Sequence, residues 1–240
     1  MDIFQYLRKV ARSQSAIKLL NVYKGLPISH EAQISSIGES EIQVHSNRYQ
    51  LTSLYYQQET YLKGEDFPYV LRSQVASLNL GKEDATLTQL EVASDNVGKR
   101  SQIRVEPDEP LIALVQFKGA PLGLAAPIAD ISSEGAAVYL EPYMFSPKLC
   151  RSGNSVSVSI TLPDNVSQRI KKTRENGTVA LSTTGEVTSV RSEFVRYRVG
   201  MRLFFKDLSR TVILQYISQR QSEIIRDLAQ LSEELYNRKK

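Results

Sequence analysis

The 240-residue chain contains one cysteine and two histidines. Cys150 has no partner for an internal disulfide, which fits a reducing compartment. It also has no histidine near it in sequence, so it reads as a buried, inert thiol. His30 and His45 stand at no metal-ligand spacing and there is no cysteine pair, so no metal site is expected. The carboxylates are not clustered. No phosphate-cradling glycine loop, nucleophile elbow or dinucleotide fingerprint occurs. With no catalytic residue to assign, an enzyme is disfavoured. Apolar runs such as 111–115 fall far short of the about 20 residues a spanning helix needs. The opening Met1-Asp2-Ile3-Phe4 carries an acid early, unlike a secretory signal. A cytoplasmic location without a membrane span is expected.

What is present is an ordinary globular composition, 41% hydrophobic and 23% charged. A net charge of +4 favours anionic partners but is too small to single out nucleic acid. Basic clusters at Lys171, Lys172 and Arg174 and at 238–240 read as a solvated loop and a charged tail.

The patterning is mainly β. Residues 2–21 are expected to form a helix, with Ile3, Leu7, Val10, Ile17 and Leu20 on one face and Asp2 as its cap. From about 31 to 92 short strands follow, with Ile42 and Val44 alternating and Tyr55, Tyr56 and Tyr61 supplying strand-favouring aromatics. A polar stretch at 93–99 reads as a linker between residues 1–92 and 100–240. Beyond it, Val156, Val158, Ile160 and Leu162 alternate with serines and a threonine, as in a half-buried strand. Gly185 is expected to mark a bulge. Over 194–205, Val195, Tyr197, Val199, Met201 and Leu203 share one face, and Arg196, Arg198, Gly200 and Arg202 the other. The strands of 31–92 suggest a small antiparallel barrel or sandwich, and about six strands closing on themselves would make a barrel of the second region.

Residues 208–237 carry an a/d stripe of Leu214, Ile217, Gln221, Ile224, Leu228, Leu231 and Leu235. The stripe packs either on the chain itself or on a second copy. A homodimer is favoured, because thirty helical residues span roughly 45 Å and outrun a small barrel.

Two local patterns carry chemistry. Lys99-Arg100-Ser101-Gln102-Ile103-Arg104 is an R-x-x-x-R preceded by lysine, at the proposed hinge. Asp130-Ile131-Ser132-Ser133-Glu134-Gly135 is a D-x-S-x-x-G at a strand-to-strand turn. Singly, each has a bland reading: a solvated basic face, and a turn in which Asp and Ser bond backbone amides and Gly takes positive φ. Their order and surroundings make the pair specific.

Together with Gly185-Glu186-Val187, Val199-Gly200-Met201-Arg202-Leu203-Phe204 and the trailing helix, these motifs resemble the PilZ family of cyclic di-GMP receptors over residues 99–220. The N-terminal half is similar, more loosely, to the accessory barrel of flagellar-brake proteins of that family. The resemblance implies two small β-barrels with N- and C-terminal helices, no cofactor, and cyclic di-GMP as ligand. It implies that Arg100 and Arg104 grip guanine edges and phosphates, which suits a permanently charged bidentate fork. Asp130 would accept from guanine N1 and N2, and Ser132 would bond a purine or phosphate oxygen. Gly135 would let the backbone approach closely, and Lys99 would tolerate the extra phosphates of a ligand dimer. Arg202 faces either ligand or solvent. The implied output is a domain reorientation that controls a protein partner, such as one of the flagellar motor, in motility or biofilm behaviour. The alternative is a cyclic di-GMP-dependent DNA-binding regulator, although no helix-turn-helix pattern is present.

Overall fold

The computed structural model describes residues 2–64, 69–93, 102–163 and 178–237. By contacts the chain divides into two units: Met1–Ser101 with Glu223–Lys240, and Gln102–Ser222. Each is built on a closed antiparallel barrel, the two small barrels that the resemblance implied. Among the described residues no helix is long and apolar enough to cross a membrane.

In the first unit, helix α1 (Ile3–Arg12) precedes strands β1 (Ile17–Tyr23), β2 (Leu26–Ile37) and β3 (Glu41–Ser46). Helix α2 (Arg48–Gln57) then leads to β4 (Glu59–Gly64), β5 (Leu71–Asn79) and β6 (Asp84–Val92). The barrel runs β1-β2-β3-β6-β5-β4 and closes through the β1–β4 pairing. Inward residues Ile17, Leu19, Ile42, Val44, Leu62, Leu71 and Leu87 form one core with Leu7 of α1 and Leu51 and Leu54 of α2. Each such fully buried aliphatic side chain contributes about 1.5–3 kcal/mol.

Two sequence expectations are corrected here. The N-terminal helix stops at Arg12, not near 21: Ser13 caps it, Gln14 takes φ 52°, and 17–23 alternate in and out as a strand. Ile17 and Leu20 satisfied a helical spacing, but the in-out period of two won. The hairpin that follows turns on Lys24 and Gly25, both at positive φ, as a tight two-residue turn between twisted strands requires. Tyr55 and Tyr56 belong to α2, not to a strand. Asn47 caps that helix by accepting from the Gln50 amide at 2.9 Å, and the helix buries Leu51 and Leu54.

In the second unit the strands are β7 (Arg104–Val105), β8 (Ile112–Phe117), β9 (Leu124–Ser132) and β10 (Gly135–Leu140). They are followed by β11 (Ser155–Pro163), β12 (Thr178–Glu193) and β13 (Arg196–Leu203). The sheet runs β10-β13-β12-β11-β8-β9-β7, and the β9–β10 pairing closes six of these strands into a barrel. Val115, Phe117, Ile131, Val138, Val158, Ile160, Val199 and Met201 are buried.

Gly185 marks no bulge, contrary to expectation; the register shifts between Val187 and Ser189. Gly185 is small because a Cβ there would lie 2.0 Å from the Arg202 carbonyl oxygen.

Helix α3 (Asp207–Asn237) begins in the second unit and ends in the first. Of its expected stripe, Ile217, Ile224 and Leu228 are buried within the chain, whereas Leu214 is exposed. Leu235 and Tyr236 pack against the core of the first barrel. The Tyr236 hydroxyl is buried without a hydrogen-bond partner, and burial pushes its pKa up to about 12. Tyr236→Phe removes only that unpaired group, so it should leave stability unchanged or slightly raised. In the native chain the raised phenol pKa makes the fold lose stability as the pH climbs from about 10 to about 12, because the unfolded chain releases the proton first. Urea unfolding of both proteins at pH 8 and 11 checks this: the variant should lose less on going to high pH.

Candidate ligand-binding site on the second barrel

The alternation of β9, β10 and β13 creates an outer face whose middle is nearly bare of side chains. Gly135 pairs with Ser132 and Arg202, and Ala137 with Asp130 and Gly200. Gly135, Ala137 and Gly200 thus form a floor. Asp130 and Ser132 border it on the β9 side, and Arg198 and Arg202 on the β13 side.

Gly135 does not take positive φ, so it is not the turn residue that the motif suggested. The turn consists of Ser133 and Glu134, and Gly135 opens β10 opposite Ser132. It is glycine because a Cβ would sit 2.2 Å from the Met201 carbonyl oxygen. The close approach that requires it is to β13.

Arg104 reaches this face from β7, which pairs with β9 so that Arg104 lies opposite Ser132 and Val105 opposite Ile131. Val105 is fully buried and anchors the two-residue strand. Both flanks are also tied down. The Ser133 hydroxyl donates to the Gln102 amide oxygen at 2.6 Å, and the Gln102 amide donates to Glu134 at 3.2 Å. On the other side, the buried Arg220 of α3 donates to the Glu106 carbonyl at 2.9 Å and to Asp108 at 3.0 Å. Arg104 is therefore aimed by its neighbours, while its own guanidinium remains partly exposed.

Asp130 is only 4% exposed. A carboxylate so buried needs compensation, and two arginines supply it. Arg198 donates to its Oδ2, and Arg104 Nη1 lies 3.6 Å from its Oδ1. The second contact is an ion pair too long for a directional hydrogen bond, so Oδ1 keeps accepting capacity toward the floor. The Ser132 hydroxyl, 5% exposed as a residue, donates to the Gly135 carbonyl at 3.2 Å. Its lone pairs remain to accept.

Of the six residues singled out in sequence, the structure brings Arg104, Asp130, Ser132 and Gly135 to one outer face. Lys99 and Arg100 lie outside the described residues, as do most of the 93–99 stretch and the basic clusters at 171–174 and 238–240. Arg202 is an exposed side chain paired with Glu186 at 3.3 Å. Sequence reasoning gave Arg198 no role of its own, although its alternation with Arg202 along β13 put it on the correct face. It also missed Gln102, Ser133 and Glu134, whose part is to hold the arginine segment on the β9–β10 turn.

The groups available suit a purine nucleotide: guanidinium forks for phosphates and for the N7/O6 edge, and a carboxylate for N–H donors. A metal is not served. Among the described residues no cluster of three or more His, Cys, Asp or Glu side chains could hold one. Cys150 is buried, and desolvation pushes its thiol pKa up, which makes the thiolate scarce.

No protein-family model and no curated protein sequence matches the chain. Solved structures do. One is the cyclic di-GMP complex of MrkH from K. pneumonia, with 12% identity, TM-score 0.45, and coverage of 94% of this chain and 95% of that one. Another is the inhibitor of motility MotI/DgrA of Bacillus subtilis, with 16% identity, TM-score 0.41, and coverage of 88% and 97%. A third is YcgR of Escherichia coli in complex with cyclic di-GMP, with 14% identity, TM-score 0.34, and coverage of 98% and 93%. A further match is the PilZ domain of YcgR from Escherichia coli with cyclic di-GMP, with 14% identity, TM-score 0.40, and coverage of 55% of this chain and 98% of that one.

Proposed function

We propose that this chain is a cyclic di-GMP receptor that binds its ligand on the outer face of the second barrel. The observation that carries this reading is the convergence of Arg104, Asp130 and Ser132 around the bare floor of Gly135 and Ala137. These side chains come from two separate motifs, 26 positions apart between Arg104 and Asp130 (130 − 104), and β7–β9 pairing brings them together.

A bis-guanylate offers what these groups complement. Its phosphates and guanine N7/O6 edges accept from the forks of Arg104 and Arg100. Guanine N1–H and N2–H donate to Asp130, whose Oδ1 is not saturated. Ser132 accepts or donates beside Asp130. Adenine lacks the N1–H and N2–H donors, so Asp130 disfavours cyclic di-AMP. Lys99 adds charge for a ligand dimer. Neither a resident cofactor nor catalysis is part of this reading.

In its output the protein acts as a cytoplasmic effector. Ligand contacts at 99–104 reorient the two units and control a protein partner in motility or biofilm behaviour. A ligand can shift such an equilibrium only through different contacts in the two states, and Arg100, two residues before the second unit begins, supplies them together with Arg104 inside that unit.

Calorimetric titration of the full chain with cyclic di-GMP, cyclic di-AMP and GTP tests the binding. Low-micromolar or tighter binding is expected for cyclic di-GMP, and binding at least tenfold weaker for the other two. Equal affinity for all three would remove the basis for the assignment. Small-angle scattering with and without saturating ligand tests the reorientation, which identical profiles would exclude.

A further inference from the structure

We infer that Arg198 is a third ligand-gripping arginine, held on Asp130 in the free chain and transferred to the nucleotide when it binds. The inference rests on the receptor reading above and adds a residue outside both motifs.

The placement is set by the sheet. Arg198 lies on the outer face of β13 opposite Tyr139 of β10, one step along from the Ala137–Gly200 pair. Only the small residues of the floor separate its strand from Asp130, and its side chain crosses them to donate to Asp130 Oδ2.

Its bonding is incomplete. A guanidinium carries five N–H donors in a rigid plane. Apart from the bond to Asp130, the Nη1 of Arg198 is 3.6 Å from Glu193 Oε1, beyond hydrogen-bond range. The Nε is buried and has no acceptor. Buried donors are nearly always paired in native structures, so an orphan at the border of a bare floor marks the place where an acceptor belongs. Phosphate oxygens, or the N7/O6 pair of a guanine, fit a fork in this orientation.

The Asp130 end of the contact leads to the same conclusion. A guanine Watson–Crick edge presents two donors, N1–H and N2–H, side by side, and both carboxylate oxygens are needed to accept them. Oδ2 is the oxygen that Arg198 holds. Ligand entry therefore becomes an exchange: guanine takes the carboxylate edge, and Arg198 turns to the phosphate or purine acceptors. Charge stays balanced, because Arg198 gives up one anionic partner and gains another.

The test uses the full chain in two measurements. In the first, cyclic di-GMP is titrated calorimetrically into wild type and Arg198→Lys, which keeps the charge but loses the planar fork. The variant should bind at least tenfold more weakly, with its melting temperature within a few degrees of wild type. In the second, the Nε–H resonance of Arg198 in ¹⁵N-labelled wild type, assigned from its own backbone, is followed during titration. It should move downfield as the orphan proton gains an acceptor. Affinity unchanged within twofold in Arg198→Lys, or a resonance that stays in place at saturation, overturns the inference while leaving the receptor reading intact. Absence of wild-type binding removes the receptor reading itself, and this inference with it. If the lysine variant fails to fold, the resonance measurement on wild type decides alone.

Discussion

Arg104→Ala should weaken cyclic di-GMP binding about five- to 150-fold, the equivalent of the about 1–3 kcal/mol that a bidentate guanine contact supplies. The fold should survive. The neighbouring Val105, not Arg104, is the fully buried residue that holds β7 in place, and Arg104 shares Asp130 with Arg198. A melting curve like that of wild type, with calorimetric affinity lost, is the expected pair of results. Arg104→Lys should recover only part of the affinity, since a single ammonium cannot reproduce a fork. Adding Arg100→Ala should take binding below the micromolar range. Unchanged affinity in the Arg104→Ala protein would detach the R-x-x-x-R segment from ligand recognition.

Gly135→Ala should fail for a different reason. Its Cβ would stand 2.2 Å from a backbone oxygen of β13, a contact that no rotamer change relieves. Either β10 and β13 separate locally or the β9–β10 turn shifts. Overpacking of this kind costs about 3 kcal/mol or more where backbone must move. Hydrogen exchange should show faster opening of the amides of β10 and β13, and thermal unfolding of the second barrel should come several degrees lower. Ligand binding would fall as a consequence. If instead affinity dropped while exchange and melting stayed as in wild type, Gly135 would be a contact residue and not a packing one.

The two predictions separate what could be read from the chain from what could not. Strict alternation made β11 legible, because Val156, Val158, Ile160 and Leu162 all turn inward. The order of the two motifs located Arg104, Asp130 and Ser132, since a short connection and two strands suffice to bring them together. Gly135 was assigned to the correct position for an incomplete reason. The backbone oxygen that excludes a side chain there belongs to Met201, 66 positions away (201 − 135), and local turn chemistry carries no trace of it.

Elsewhere local signals conflicted. Ile17 and Leu20 fit a helix as well as a strand, and the period only became decisive with Leu19, Asn21 and Tyr23 buried on one side. Aromatic β-preference at Tyr55 and Tyr56 gave way to the Asn47 cap and the buried Leu51 and Leu54, whose spacing of three is helical. Arg198 escaped notice because its importance lies in a cross-strand reach to Asp130, a contact between residues 68 positions apart.

The passage of α3 from one contact unit to the other has a consequence for how this protein could be taken apart. The first unit is a discontinuous fold. Residues 1–101 alone would lack Leu235 and Tyr236, which the far end of the chain lays against that barrel. A cut between the barrels would therefore leave the N-terminal piece with an uncovered apolar flank and the C-terminal piece with half a helix facing water. Exchange of whole units between relatives would have to move both chain ends together.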